Sequence, residues 1–229
     1  MTNATGQAGD SRPHAGDGRK VALAGATGLV GRELLAGLLA DPSVTEVHAL
    51  GRRPLAVQHP RLTSHIVDFT ALPDLPPLDE VYLALGTTIA AAGSQEAFRA
   101  VDLDASLAVA RAARAAGARR LGLVSAMGAD AASRIFYNRV KGELENAVDA
   151  LGFEALLIAR PSLLLGDRAA LGQPPRPGEK IGELLGSWLR PITPRTYRPI
   201  AAAAVARALL ARLPEARGRQ VLLSGQMQE

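Results

Sequence analysis

Lys20-Val21-Ala22-Leu23-Ala24-Gly25-Ala26-Thr27-Gly28-Leu29-Val30-Gly31 decides the fold of this chain. Residues 20–24 are a short, largely apolar run ending in a glycine cluster, and residues 29–40 then carry helical periodicity until Asp41-Pro42 stops them. That order reads as strand, tight turn and helix. The turn has the form G-x-x-G-x-x-G at Gly25, Gly28 and Gly31. Glycines there allow a tight turn, let a pyrophosphate approach backbone N–H groups, and let the helix pack close to the strand. The helix dipole adds a field that favours phosphate. A glycine-rich helix start without a ligand would look the same, but a turn placed directly between a strand and a helix has the context that nucleotide binding requires.

Beyond the turn, short apolar runs alternate with helical stretches. Strands are predicted at 44–50, 64–67, 80–85, 120–124, 153–159 and 220–223, and helices at 94–116, 133–151 and 200–212. Residues 72–78 read as a proline-rich loop. The alternation predicts an α/β fold, a Rossmann-like doubly wound parallel sheet in a single domain with a small C-terminal substrate region. Ligands bind such sheets outside the carboxyl ends of the strands. Gly25, Gly86, Ser125 and Arg160 all fall at or just beyond such ends. The domain is expected to span residues 19–224, with 160–200 covering the substrate, a disordered leader at 1–18 and a tail at 225–229.

Composition narrows the function classes. Hydrophobic residues make up 48% of the 229 residues but aromatic ones only 3%, which argues against an aromatic platform for nucleic acid. The net charge of +4 comes from arginines scattered along the chain without a dense basic run, so neither nucleic acid nor a membrane is an expected partner. Cysteine is absent, which removes disulfides, thiolate metal sites and a cysteine nucleophile together. His14, His48, His59 and His65 lack metal-ligand spacing with an acidic neighbour, so no metal is expected. The leader has no apolar stretch of the signal-peptide kind, and a cytoplasmic location is the expectation.

The end of the second strand bears on cofactor choice. An NAD site usually places Asp or Glu there, about twenty residues after the glycines, to bind the ribose 2′-hydroxyl. Here the chain reads Gly51-Arg52-Arg53. Two guanidiniums suit a 2′-phosphate and favour NADP(H), although solvated surface arginines would give the same sequence. Asp68 closes the third strand and either accepts from the adenine amino group or caps a turn.

Lys141 is one of three lysines beside twenty-three arginines, and it stands four residues after Tyr137. Residues four apart share one helix face. A phenol is a poor base at neutral pH, and a compact ammonium nearby favours its phenolate in a way a wide guanidinium does not. An exposed Tyr and Lys on an amphipathic helix would share the spacing. Ser125, twelve residues before Tyr137, is either a hydrogen-bond donor to the same substrate oxygen or a turn cap.

Taken together, the glycine turn, Gly51-Arg52-Arg53, Leu85-Gly86-Thr87-Thr88, Ser125-Ala126-Met127-Gly128-Ala129-Asp130, Tyr137-x-x-x-Lys141 and Arg160-Pro161-Ser162 resemble the short-chain dehydrogenases/reductases. The likeness is to the atypical branch, the Tat-interacting-protein-like oxidoreductases and their bacterial relatives, over roughly residues 19–224. It implies an NADP(H)-dependent oxidoreductase acting on a carbonyl or alcohol of unknown identity. Tyr137 would be the proton donor or acceptor, with Lys141 and Ser125 beside it. Cofactor contacts would come from Gly25, Thr27, Gly28, Leu29, Val30 and Gly31, from Arg52, Arg53 and Asp68, from Leu85, Gly86 and Thr87, and from Tyr137, Lys141, Leu164 and Arg176. Many members carry an asparagine in the helix after the fourth strand that organises a proton relay to the lysine, and residues 94–116 contain none. Asp102 is the nearest polar residue there, and an exposed helix carboxylate is an equal reading of it. The resemblance also admits an NADPH-binding redox sensor that works through a protein partner or homodimer, and more distantly a nucleotide-sugar epimerase.

Overall fold

The computed structural model describes residues 18–165 and 198–228. Strand β1 (Arg19–Ala24) runs through the glycine turn into helix α1 (Leu29–Ala40), and β2 (Val44–Gly51) and β3 (Leu62–Ile66) follow. The chain then crosses to β4 (Glu80–Leu83) on the other side of β1. Two short helices, α2 (Ile89–Ala92) and α3 (Gln95–Arg99), lead through a π-helical turn (Ala100–Ala105) into α4 (Ser106–Ala115). Next come β5 (Arg120–Val124), α5 (Phe136–Asp149) and β6 (Ala155–Arg160). A two-stranded pair joins β7 (Leu164–Leu165) to β8 (Ile200–Ala201), and α6 (Ala202–Arg212) and β9 (Gly218–Leu223) complete the domain.

Among the described residues seven strands form one sheet in the order β3-β2-β1-β4-β5-β6-β9, with every neighbour parallel. The period of two along β1 explains the layers. Val21 and Leu23 enter the core beneath α1 and α6, while Ala22 and Ala24 enter the opposite core beneath α4 and α5. A parallel strand buried on both faces therefore reads as an apolar run. The order reverses between β1 and β4: the glycine turn leads to α1 on one face and the segment Ala84–Thr87 leads toward α4 on the other, the arrangement that places a ligand crevice over the two adjoining carboxyl ends.

Helix α1 and β5 have the bounds the periodicity predicts. The helix expected over 94–116 is interrupted by the π turn, which no proline or glycine marks. The expected tail at 225–229 is partly core, since Met227 is buried against α6. The leader up to residue 17 and most of the substrate-covering segment, 166–197, lie outside the described residues, as does Arg176.

At the amino ends of the strands, away from the crevice, Glu80 is fully buried and accepts from Arg19 Nη1 at 2.8 Å and from the Tyr82 hydroxyl at 3.3 Å. Its other oxygen has no hydrogen-bond partner among the described residues. Burial, only partly offset by Arg19, raises the Glu80 carboxyl above its usual range, whereas hydrogen bonds from Lys20 and His48 lower that of the half-buried Glu46. A raised folded value contributes stability that is complete below the unfolded value and is lost as pH rises through the folded one. A lowered value such as that of Asp41, held down chiefly by Ser43, does the reverse and loses its contribution as pH falls. Carboxyl NMR titration is therefore expected to show Glu80 ionising at higher pH than Glu46, and the opposite order would contradict the burial argument.

Candidate functional site

Gly25 adopts φ +93°, a left-handed conformation that ordinary side chains avoid, and a Cβ there would lie 2.4 Å from the carbonyl of Ala84. The glycine turn thus packs directly against the end of β4. A Cβ at Gly31 would lie 1.9 Å from the Gly25 carbonyl oxygen, so this position sets how closely α1 sits on the turn. Gly28 differs from both. Its φ is −79°, and a Cβ there would meet only ordinary contacts of 3.4 and 3.8 Å. The protein's own packing does not demand glycine at 28, whereas a ligand lying on the backbone would. Helix α1 has no side-chain cap and no acidic residue in its first turn, leaving its first N–H groups to a ligand or water.

Across the crevice, the segment after β4 is held by Asp102, the polar residue named where the asparagine is missing. Asp102, in the π turn, is 1% exposed, and its Oδ2 accepts from the backbone N–H of Thr87 at 2.9 Å. Its Oδ1 lies 2.7 Å from Lys141 Nζ, an ion-pair distance without hydrogen-bond geometry. Lys141 itself is 4% exposed. The reading of Asp102 as an exposed helix carboxylate is therefore corrected: the π turn faces inward at Asp102 and Leu103. Gly86 lies over the pair, since a Cβ there would sit 3.6 Å from Oδ1.

Tyr137 is half-buried one helical turn before Lys141, with its ring 5.5 Å from that of Phe98. The partner seen for the ammonium is Asp102, and among the described residues the phenol hydroxyl has no hydrogen bond. Ser125 is not brought to Tyr137. It is buried, and its hydroxyl donates to Glu145 Oε1 at 2.6 Å, two helical turns beyond the tyrosine. Glu145 also takes both Nε and Nη2 of Arg160, at 2.9 and 2.6 Å, and Arg219 at 3.2 Å. This buried carboxylate fastens α5 to β5, β6 and β9, and Ser125 belongs to that anchor. The spacing Tyr137, Lys141, Glu145 was the signal for it, because i, i+4 and i+8 lie along one helix face.

Helix α5 can approach the loop after β5 because residue 142 is glycine, where a Cβ would lie 2.1 Å from Ala131 N. A cavity of about 380 Å³ beside that loop is lined by Asp130, Glu145, Asn146 and Arg160. Neither Tyr137, Lys141 nor the glycine turn lines it, so it is distinct from the crevice.

Arg52 and Arg53 are exposed beyond β2, and among the described residues neither has a hydrogen bond or ion pair. Asp68 uses Oδ1 to cap the following turn, accepting from Thr70 N and Oγ1 at 2.9 and 2.8 Å, which lowers its carboxyl from the usual range. Only Oδ2 is left for another donor. Leu29 and Leu85 are half-buried, Val30 is buried and Thr27 is exposed at the turn. Leu164 lies in β7 and packs against the core under α1 and α6.

These residues fit a dinucleotide. Unstrained contacts at Gly28, an uncapped helix start, and a buried ammonium with a single acidic partner among the described residues stand at the carboxyl ends of β1 and β4. Metal chemistry has no comparable cluster: no group of three His, Asp or Glu side chains that could hold an ion occurs among the described residues.

A family model described as NAD(P)H-binding matches residues 25–160. The mitochondrial protein fmp52 of Emericella nidulans is 40% identical over 179 residues, spanning 74% of this chain and 75% of its own length. Protein HTATIP2 of Rattus norvegicus is 36% identical over 182 residues, spanning 74% and 73%. Among solved structures, MoeE5 in complex with UDP-glucose and NAD superposes with a TM-score of 0.65 at 19% identity, over 89% of this chain and 76% of that one. Bordetella bronchiseptica WbmH in complex with NAD+ gives 0.67 at 15%, over 90% and 76%. At such identities these two structures establish the fold. The fungal names also correct the expectation of a cytoplasmic location, because relatives from Emericella nidulans, Aspergillus fumigatus and Coccidioides immitis are named mitochondrial. Composition does not encode compartment, and lack of a signal-peptide pattern says only that one route is not marked. No helix among the described residues is long and apolar enough to cross a membrane.

Proposed function

Because this chain belongs to the NAD(P)H-binding family, with a model match over residues 25–160 and relatives in fmp52 and HTATIP2, we propose that it is an NADP(H)-dependent oxidoreductase of the short-chain dehydrogenase/reductase type, acting on a carbonyl or alcohol. The observation that carries the reading is the placement of Lys141. A lysine is buried beneath the segment after β4, four residues from Tyr137, in a chain with three lysines and twenty-three arginines. A buried ammonium is costly to keep unless its charge is used or paired.

In this reading the N–H groups at Leu29 and Val30 hold the pyrophosphate as it lies over Gly28, Arg52 and Arg53 hold the 2′-phosphate, and Leu85, Gly86 and Thr87 flank the nicotinamide half. Lys141 holds a ribose hydroxyl one helical turn from Tyr137, on the same face of α5. Tyr137 gives or takes the proton at the substrate oxygen, so the oxygen never has to carry a full charge. When bound, the nicotinamide supplies or accepts the hydride. A panel of aldehydes and ketones, followed by loss of reduced nicotinamide absorbance, tests the proposal; no turnover of any carbonyl would remove the catalytic part of it.

The 2′-phosphate arm has its own test. Charge-assisted hydrogen bonds are worth about 1.5–3 kcal/mol, so Arg52→Ala or Arg53→Ala is expected to weaken NADPH by roughly tenfold to a hundredfold while leaving NADH unchanged. Equal losses for both cofactors, or a wild-type preference for NADH, would return the arginines to the solvated surface.

One observation favours a second reading. With the Ser125 hydroxyl committed to Glu145, and no hydroxyl at Ala126 or Met127, this loop offers the substrate oxygen no serine donor. A protein that binds NADPH and signals its redox state through a partner would not need one. Capture of a partner with and without NADPH separates the readings, since cofactor-independent capture counts against sensing. A nucleotide-sugar epimerase is supported by fold alone.

A further inference from the structure

We propose that Asp102 is the positioning residue for Lys141, a clamp that fixes the lysine against the cofactor-binding segment after β4; this deepens, and rests on, the reading of Lys141 as a cofactor ligand. Three observations converge on it. The Asp102 carboxylate has one oxygen 2.7 Å from Lys141 Nζ and the other 2.9 Å from the Thr87 N–H. Both charged side chains are nearly out of solvent, at 1% and 4% exposure. The pair lies directly beneath Gly86, where a Cβ would stand 3.6 Å from Oδ1.

A buried ion pair is weak evidence for stability, because apolar residues of similar size often do as well or better. What the pair does supply is a fixed relation between two elements far apart in sequence. Thr87 follows β4 and Lys141 is in α5, and the carboxylate in the π turn touches both. An ammonium has three donors. Asp102 engages it from one side, and among the described residues no other partner is seen, so the remaining donors are left for a ligand hydroxyl over the same segment. Asp102 touches neither substrate nor cofactor in this scheme; it acts through Lys141 and Thr87.

The test is a cycle of NADPH titrations on the full chain. Asp102→Asn keeps an oxygen that can accept from Thr87 but deletes the ion pair, and is expected to weaken NADPH about tenfold. In a Lys141→Ala background the same change is expected to have no further effect. Asp102→Asn with wild-type affinity, or with the same loss in both backgrounds, overturns the clamp. Lys141→Ala with wild-type affinity overturns it at a deeper level, by removing the lysine from the cofactor site altogether. Folding is separated from positioning by Asp102→Leu combined with Lys141→Met. That variant is expected to melt at or above the wild-type temperature and to bind NADPH at least tenfold more weakly. Lower melting with unchanged affinity would make the pair a structural support instead.

Discussion

Gly31→Ala is expected to lower the melting temperature by roughly 4–8 °C and to abolish measurable NADPH binding. Two effects oppose each other at this position. Alanine in place of glycine in a helix interior gains about 1 kcal/mol of propensity. Against this, the new Cβ would stand 1.9 Å from the Gly25 carbonyl oxygen, which is backbone and cannot swing away. The first turn of α1 must lift off the strand, and overpacking of this kind costs about 3 kcal/mol or more. The clash wins. In a domain of this size each kcal/mol moves the midpoint by about 2–4 °C, which gives the stated range. Binding suffers separately, because the same shift moves the N–H groups of the helix start. Gly28→Ala is the matched control. Its Cβ meets only ordinary contacts, so melting should be unchanged while NADPH weakens tenfold or more if phosphate lies on the backbone there. Thermal melts and cofactor titrations on both variants settle the comparison. A Gly28→Ala protein that binds NADPH normally would move the pyrophosphate away from this turn.

The contrast between the two glycines also marks how far the sequence could be read. The turn itself was legible because its neighbours were: an apolar run before it, a periodic helix after it, and Asp41-Pro42 to stop that helix. Each is a local pattern, and α1 and β5 took the predicted bounds for that reason. Asp102 was named in the sequence, but which of its two readings held was not legible. On an alanine-rich helix a carboxylate looks the same whether it faces water or a buried lysine 39 residues later, and the π turn around it carries no glycine or proline. Ser125 failed for a related reason. Its place at a strand end was visible, but its partner, Glu145, sits two turns past Tyr137 on α5 and competes for the hydroxyl from the interior. Local periodicity identifies elements and their ends. Which polar groups meet across elements is decided by packing, which reassigned Ser125 and chose between the two readings of Asp102.

Tyr137→Phe is expected to reduce turnover by about a hundredfold to ten-thousandfold, with NADPH affinity within a few-fold of wild type. The substitution is a clean probe because of where the ring lies. The aromatic contact with Phe98, 5.5 Å between centroids, survives the loss of a hydroxyl, and among the described residues that hydroxyl has no hydrogen-bond partner to orphan. Stability should therefore stay within about 0.5 kcal/mol. Loss of a positioned general acid or base typically costs two to four orders of magnitude, or about 3–5 kcal/mol of barrier. Lys141 remains buried beside Asp102 in the variant, so the cofactor contact assigned to it persists and the loss should appear in kcat. Lys141→Ala provides the complementary pattern, raising the NADPH dissociation constant together with any loss in turnover. Identical turnover by wild type and Tyr137→Phe would remove the tyrosine as the proton carrier. Binding without turnover in both would leave Tyr137, Lys141 and the glycine turn as a nucleotide sensor, with Asp102 still holding the lysine that reads it.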